Sequence, residues 1–378
     1  MTNGRADSRV CPHQTACGAC ALLDSTREAQ LARKRRVLAE QLGHYPRLED
    51  ARLLSCLASD QAFDYRCRAK LAVGLAAGKP PRLGYFRPRS REIIDAPNCR
   101  VLVPELLETS RRVRSFLGRG RIPRELRHVD LRCGSDPTRQ HLTLVFRAEG
   151  LPRFPLEALH ERLPMVSGMS YNASPDPGPR VIKGAVKHLG GERGIRVDCA
   201  ELSLRVSPAS FFQVNLTVLP LIHDRMQAFL GKGELLADLY AGVGTHGLAL
   251  RDDFTRVACI EGAKSSTRDA RTTIEEEGVE NVRVIASPVE KALDRLLELG
   301  PDAVVMNPSR AGARSDVLDA LAEIGSVRRL VYLSCEPETL ARDLDRLVDL
   351  GFALETVEPV DMMPQTDQVE ALACLSWP

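Results

Sequence analysis

A few residues of this 378-residue chain pair a reactive atom with a position from which it could be used. Cys335 closes the apolar run RLVYLSC and stands just before Glu336-Pro337 and a helix-forming stretch from Thr339. A thiol held at a strand end against a helix N-terminus can have its pKa lowered and act as a nucleophile. Taken alone, Cys335 is better read as a small buried residue. One strand earlier, Met306-Asn307-Pro308-Ser309-Arg310 follows the run DAVV, at the carboxyl end where open α/β sheets place ligand contacts. Upstream, Asp238-Leu239-Tyr240-Ala241-Gly242-Val243-Gly244-Thr245 joins a predicted strand to a predicted helix. Gly242 and Gly244 let that backbone turn tightly and approach a ligand with no Cβ in the way. Glu261 ends the next strand, 19 residues beyond Gly242, where an acid can accept hydrogen bonds from ribose hydroxyls. A surface loop acid is the plainer alternative. Gly247 falls where a dinucleotide loop has its third glycine, so spacing alone leaves NAD open.

The elements that must hold these residues differ between the two halves. From Ser207 on, apolar strands alternate with helices: ELLADLY, RVACIEG, VRVIA, DAVVMNP and RLVYLSC each lead into one. Repeated βα units imply a doubly wound, mainly parallel sheet, and runs such as AVVM and LVYL suit a sheet covered on both faces. Before Arg205, short alternating runs broken by Gly and Pro (LAVGLAAG, HVDLRC, HLTLVF) predict an α+β, mainly antiparallel module. Ser25 to Leu42 predicts one amphipathic helix, capped by Ser25 or Asp24, stopped by Gly43 and able to pack on the second domain. Its centre, Lys34-Arg35-Arg36, is expected to be a solvated face. The division expected is residues 1–205 and 206–378.

Charge follows the same division. Up to Arg205 there are 36 Lys and Arg against 22 Asp and Glu; beyond it, 16 against 28. A basic half points to a polyanion-binding module. No run of eighteen apolar residues and no apolar leader is present, so a cytoplasmic protein without a membrane partner is expected. The eleven cysteines are then better read as free thiols, metal ligands or a catalytic thiol than as a disulfide framework.

The segments SFFQVN (210–215), DLYAGVGT, NPSRAGA, YLSCEPETLARDL and the terminal DMMPQTDQVE occur in the order found in RNA 5-methyluridine methyltransferases, which the chain resembles over nearly its whole length. The D-L-x-x-G-x-G loop is similar to the S-adenosylmethionine loop of class I methyltransferases. The resemblance implies a Rossmann-like methyltransferase domain with Cys335 as nucleophile and Glu370 as general base. It implies further that Gln213, Tyr240, Gly242, Gly244, Thr245 and Glu261 hold S-adenosylmethionine and that Asn307 contacts cofactor and target base. Carbon 5 of uracil is a poor nucleophile, so a thiolate adding to carbon 6 and a base removing the C5 proton explain those residue types. The uridine must leave its stack to be reached.

Cys11, Cys17 and Cys20, with Cys99 in LGYFRPRSREIIDAPNC, resemble the iron–sulfur subgroup that methylates 23S ribosomal RNA. Four thiolates hold either zinc or a cluster, and the three-plus-one spacing fits a 4Fe–4S cluster better. The other cysteines are expected to be core thiols, and His246 a helix residue. With ten residues ahead of Cys11, a TRAM domain is expected to be absent, as in the shorter 23S branch. Positive charge for RNA comes from FDYRCRAKLAV and from Arg111, Arg112, Arg114, Arg119, Arg121 and Arg124, and the enzyme is expected to work as a monomer. Relatives often carry Asp at 307, Pro or Ala at 309, Phe at 363, His at 367 and a polar residue at 288; here these are Asn307, Ser309, Met363, Asp367 and Pro288. Transfer RNA, a cytosine target, or a catalytically silent RNA-binding protein are the rival readings.

Overall fold

The computed structural model describes residues 11–76, 78–120, 122–175 and 181–377; Arg121 and residues 1–10 lie outside them. The basic part builds a seven-stranded sheet from β1 (Arg68–Gly74), β2 (Arg82–Phe86), β3 (Ile93–Asp95), β4 (Leu126–Cys133), β5 (Gln140–Phe146), β6 (Val166–Ala173) and β7 (Val186–Gly191). The order is β3-β2-β1-β4-β5-β6-β7. Every neighbour is antiparallel except β5 and β6. The helix Pro104–Leu117 lays Leu106, Val113 and Phe116 on one face of this sheet, against Leu71, Val129 and Leu142.

A hairpin, β8 (Ile195–Cys199) and β9 (Leu202–Val206), follows. Its alternate residues Ile195, Val197, Leu204 and Val206 are buried in the core of the second part, beside Ile222 and Leu236.

That second part holds β10 (Gly233–Leu239), β11 (Phe254–Glu261), β12 (Val282–Ala286), β13 (Ala303–Met306), β14 (Arg329–Ser334), β15 (Ala353–Val360) and β16 (Glu370–Ser376), ordered β12-β11-β10-β13-β14-β16-β15. The strands from β10 to β14 are parallel, while β16 runs antiparallel between β14 and β15. Successive residues point to opposite faces, so each strand feeds two cores. Ala303, Val305, Val331 and Leu333 enter one core; Val304, Met306, Leu330 and Tyr332 enter the other. Covering on both faces is why these strands read as unbroken apolar runs. The sheet grows outward from β10 in both directions, which opens a crevice at the carboxyl ends of β10 and β13.

The predicted N-terminal helix spans Arg27–Leu42, and its cap is Thr26, whose side chain accepts from Ala29 N. The cap falls one residue after Ser25 because Thr26 is the last extended residue. The expected solvated centre is corrected at Lys34. That side chain is buried, and its Nζ donates to Asp361 Oδ1 at 2.5 Å and to the Met363 carbonyl at 2.9 Å. Gln30, Lys34, Leu38 and Leu42 step by four along one buried face, which puts the lysine inside. Leu38 and Leu42 pack among Tyr332, Leu340 and Leu344 of the second core. Arg35 and Arg36 are exposed, as expected, with Arg35 donating to the carbonyls of Leu53 and Leu54 at the surface. Among the described residues no helix is long and apolar enough to cross a membrane.

Candidate active site

The antiparallel register of β14 and β16 sets Ser334 opposite Ala371. One step further, Cys335 leaves β14 facing Glu370, the first residue of β16. Opposed residues of such a pair lie about 4.5–5.5 Å apart at Cα. Sequence placed these two residues 35 apart; the strand pairing makes them neighbours. Glu370 is buried, with 4% of its surface exposed, and Cys335 is half-buried.

Burial pushes the Glu370 carboxyl up to about 7, against the Gln213 side-chain hydrogen bond and the charges of Arg310 and Lys34, which hold it down. The Cys335 thiol is pushed up as well, by burial and then by the Glu370 carboxylate, with Arg310 opposing. A thiol lowered by its helix, one possibility raised by the sequence, is therefore not what surrounds Cys335. Burial is the larger cause, and the Glu370 carboxylate adds to it. Arg310 itself donates to Gln368 Oε1 at 2.6 Å. Sequence reasoning quoted it in NPSR without giving it a part, although a cation beside a thiol is the signal that finds it.

Gln213 sits in the loop after β9, whose neighbours stitch the two parts together. Cys67 N donates to the Val214 carbonyl at 2.9 Å. Asn215 Nδ2 reaches Ser59 Oγ and the Met362 carbonyl.

Around the crevice, β10 ends in a left-handed run: Tyr240, Gly242 and Gly244 have φ of 58°, 59° and 81°. Glycine takes this conformation without strain, and Tyr240 does so while its hydroxyl donates to Glu290 Oε1 at 2.9 Å. A Cβ on Gly242 would meet nothing within 4 Å, so the loop faces open space. One on Gly247 would lie 2.7 Å from Cys259 Sγ, so this third glycine serves close helix–strand packing. Glu261 accepts from Gly242 N at 2.9 Å and Ala263 N at 2.6 Å, which anchors an acid beside the glycine turn. Beneath it, buried Asp238 accepts from Gly247 N at 2.8 Å, its other carboxylate oxygen has no partner, and burial raises it to about 7. Thr245 opens the short helix Thr245–Ala249. Asn307 follows β13 at the mouth of the crevice, its N–H on the Leu239 carbonyl at 3.2 Å. Pro288 packs against Gly262, just past Glu261.

Comparison with known proteins decides the family. The family profile for tRNA (uracil-5-)-methyltransferases matches residues 191–376. An uncharacterized RNA methyltransferase of Gloeobacter violaceus is 30% identical over 377 residues, covering 97% of this chain and 82% of its own. The chain belongs to the RNA (uracil-5-)-methyltransferase family. A second uncharacterized RNA methyltransferase, from Oceanobacillus iheyensis, is 29% identical over 379 residues, 95% of this chain and 81% of its own. In fold, the methyltransferase is similar to the Pyrococcus abyssi tRNA (uracil-54, C5)-methyltransferase solved with S-adenosyl-L-homocysteine. That likeness has a TM-score of 0.76 and 24% identity over 94% of this chain and 85% of that one. The methyltransferase is an S-adenosylmethionine-dependent RNA-modifying enzyme, and its Rossmann-like sheet carries the crevice just described.

Cys11, Cys17, Cys20 and Cys99 line one cavity of about 200 Å³ with Tyr85, Arg100 and Thr366, which precedes Glu370 by four residues. All four are free thiols. Cys20 is pushed up to about 12, by burial first and then by Cys99, Cys11 and Cys17. Arg100 Nε and Nη2 and His13 Nε2 are buried on this lining without a hydrogen-bond partner among the described residues, while the Tyr85 hydroxyl is hydrogen-bonded to the Cys99 side chain. Within those residues, no group of three or more His, Cys, Asp or Glu side chains is disposed to hold a metal ion.

The arginines singled out for RNA are partly spoken for. Arg111 donates to the Pro97 carbonyl and Asn98, Arg112 pairs with Glu108 and Arg114 with Asp95. Arg119 and Arg124 are exposed, and Arg121 lies outside the described residues. A basic cavity of about 670 Å³ stands elsewhere, lined by His188, Arg193, Arg205, Lys264 and Arg268, with no acid among its lining residues. Sequence reading misses it because two of its cations, Arg193 and Arg205, come from the first half and two, Lys264 and Arg268, from the second.

Proposed function

We propose that the enzyme methylates carbon 5 of a uridine in 23S ribosomal RNA through a covalent bond between Cys335 and the base. The opposition of Cys335 and Glu370 across β14 and β16 carries this reading. Attack of the Cys335 thiolate forms a bond to C6 and moves the C5=C6 pair toward the C4 carbonyl. C5 then takes the methyl group, for which bound S-adenosylmethionine supplies an electrophilic carbon on a sulfonium. Glu370 accepts the C5 proton, and the pair left by that C–H re-forms the double bond and expels the thiolate. Gln213, bonded to Glu370, orients the base catalyst, and Arg310 favours the thiolate. Tyr240, Gly242, Gly244, Thr245, Glu261 and Gln213 hold S-adenosylmethionine, with Glu261 accepting from the ribose, and Asn307 reads N3 of the flipped uracil. The expected boundary at 205 moves back, since the hairpin Ile195–Val206 packs in the methyltransferase core and the helix Arg27–Leu42 packs on it too; the RNA-binding module is the seven-stranded sheet before that hairpin, with phosphates lying in the basic cavity between the two parts.

Cys11, Cys17, Cys20 and Cys99 hold a 4Fe–4S cluster in this reading. Four thiols line one cavity, the donor set that such a cluster takes. The partnerless donors of Arg100 and His13 among the described residues suit its sulfurs and negative charge. The cluster's part is to tie the N-terminal arm to the RNA module.

RNA containing 5-fluorouridine tests the covalent step, because fluorine cannot leave C5 as a proton. The native enzyme should be trapped at Cys335 and Cys335→Ala should not; methylation by Cys335→Ala would overturn the mechanism. Transfer RNA is the second reading, favoured by the description of the matching family. Mapping new methyl groups in both RNA pools, with and without the enzyme, separates the two.

A further inference from the structure

Asn307 carries two opposite atoms on one planar amide, a carbonyl that accepts and an NH₂ that donates. Uracil offers an N3–H and cytosine a bare N3, so the atom that faces the base decides which base is accepted. A chain of buried and half-buried groups lies behind this amide. Asn307 Nδ2 is 3.4 Å from His246 Nε2, and His246 Nδ1 is 3.2 Å from His223 Nε2. His223 Nδ1 lies 3.9 Å from Cys199 Sγ, and Cys199 in turn donates to the Thr245 carbonyl at 3.9 Å. Burial holds both imidazoles neutral, His246 at about 3 and His223 at about 4, so each has one N–H to place.

Counting protons from the Thr245 end gives an arrangement that satisfies every group. The Thr245 carbonyl can only accept, so it takes the single thiol proton of Cys199. The sulfur is then the acceptor for His223 Nδ1–H, which leaves His223 Nε2 bare. His246 must fill it with Nδ1–H, and His246 Nε2 is bare in its turn. Only the Asn307 NH₂ can satisfy that nitrogen.

We infer that Cys199, His223 and His246 form a proton-ordering relay that holds the Asn307 amide with its NH₂ inward and its carbonyl toward the target base, so that the enzyme selects uridine against cytidine. The inference rests on the reading of Asn307 as the residue that meets N3. None of the three relay residues is a catalytic residue; all act through Asn307. An aspartate at 307 would need a donor from His246 and would reverse every step of the chain.

The direct test is ¹⁵N-histidine NMR of the native protein without RNA, with His246 and His223 assigned from His246→Leu and His223→Leu. Both rings should carry their proton on Nδ1, and in Asn307→Asp both should move it to Nε2. A native His246 or His223 protonated at Nε2 overturns the relay. Because no RNA is present, this result stands apart from whether uridine is the substrate. The second measurement compares methylation of a target oligonucleotide with U or C at the modified position. In His246→Leu the preference for U over C should fall at least ~10-fold, since a freed amide can turn its NH₂ outward. Loss of rate on both bases with an unchanged ratio would reduce His246 to a packing residue and sink the proposal.

Discussion

Glu370 shows most clearly how a single residue trades stability for chemistry. Its carboxyl sits at about 7, against an ordinary 4.5, because burial disfavours the charged form. A carboxyl raised in the folded state is stabilising while protonated, and that stability is lost as pH rises from about 4.5 through about 7. Glu370→Gln cannot ionise. It should therefore be more stable than the native enzyme at pH 8, by up to ~3 kcal/mol for a shift of this size, and should lose that advantage below pH 4.5; urea denaturation at both pH values measures it. Turnover should move the other way. Methyl transfer needs an ionised base and a thiolate, so native activity should rise with pH through about 7 and continue upward as the raised Cys335 thiol ionises. In Glu370→Gln a methylated covalent adduct with ordinary uridine RNA should accumulate, visible as a shifted band on denaturing gels. A variant that turned over at the native rate would remove Glu370 from the reaction.

The helix Arg27–Leu42 shows what a chain discloses about its elements and what it keeps back. Its length and stop were legible from periodicity and Gly43, and the doubly wound sheet from the βα alternation, because these are local patterns. The role of Lys34 was not, since its partner Asp361 lies 327 residues away and a Lys-Arg-Arg run resembles a solvated face. Only its place in the buried row Gln30, Lys34, Leu38 and Leu42 marked it as internal. The same holds for the opposition of Cys335 and Glu370, which depends on a last strand inserted antiparallel into a parallel sheet. Asp361 is fully buried and also pairs with Arg27, so removing Lys34 leaves a carboxylate short of one cation. Lys34→Met should destabilise the protein by roughly 3–5 kcal/mol, because an uncompensated buried charge costs more than the pair contributed. The double variant Lys34→Met/Asp361→Asn should recover a large part of that loss in urea unfolding. If the single variant unfolds like the native protein, the pair does not dock the helix.

At the scale of the whole molecule, the charge split read from the sequence locates a polyanion site only coarsely. Much of the positive charge in the first half is consumed internally: Arg68 is bonded to Asp130, and Arg132 is buried on the carbonyls of Ser207 and Pro208. What remains for RNA is set by folding, which brings Arg193 across to Lys264 and Arg268 around one cavity, whose other arginine, Arg205, is paired with Asp269 and Glu276. Its floor, Ser207 to Ala209, runs within six residues into Gln213, which spans at most about 22 Å of extended chain. A strand whose phosphates lie in the cavity can therefore present a nearby nucleotide to Cys335. Phosphate contacts act through counterion release, so each lost contact lowers the dependence of log Kd on log salt by about 0.7 for a single strand. Arg193→Ala/Lys264→Ala should weaken RNA binding at low salt and lower the salt slope by about 1.4, with kcat at saturating RNA retained, because neither side chain touches the reacting atoms. Filter-binding titrations across a salt series give the slope, and single-turnover methylation gives the rate. An unchanged slope would place the RNA on another face, and a lost rate with intact binding would mean that the cavity serves the methyl donor instead.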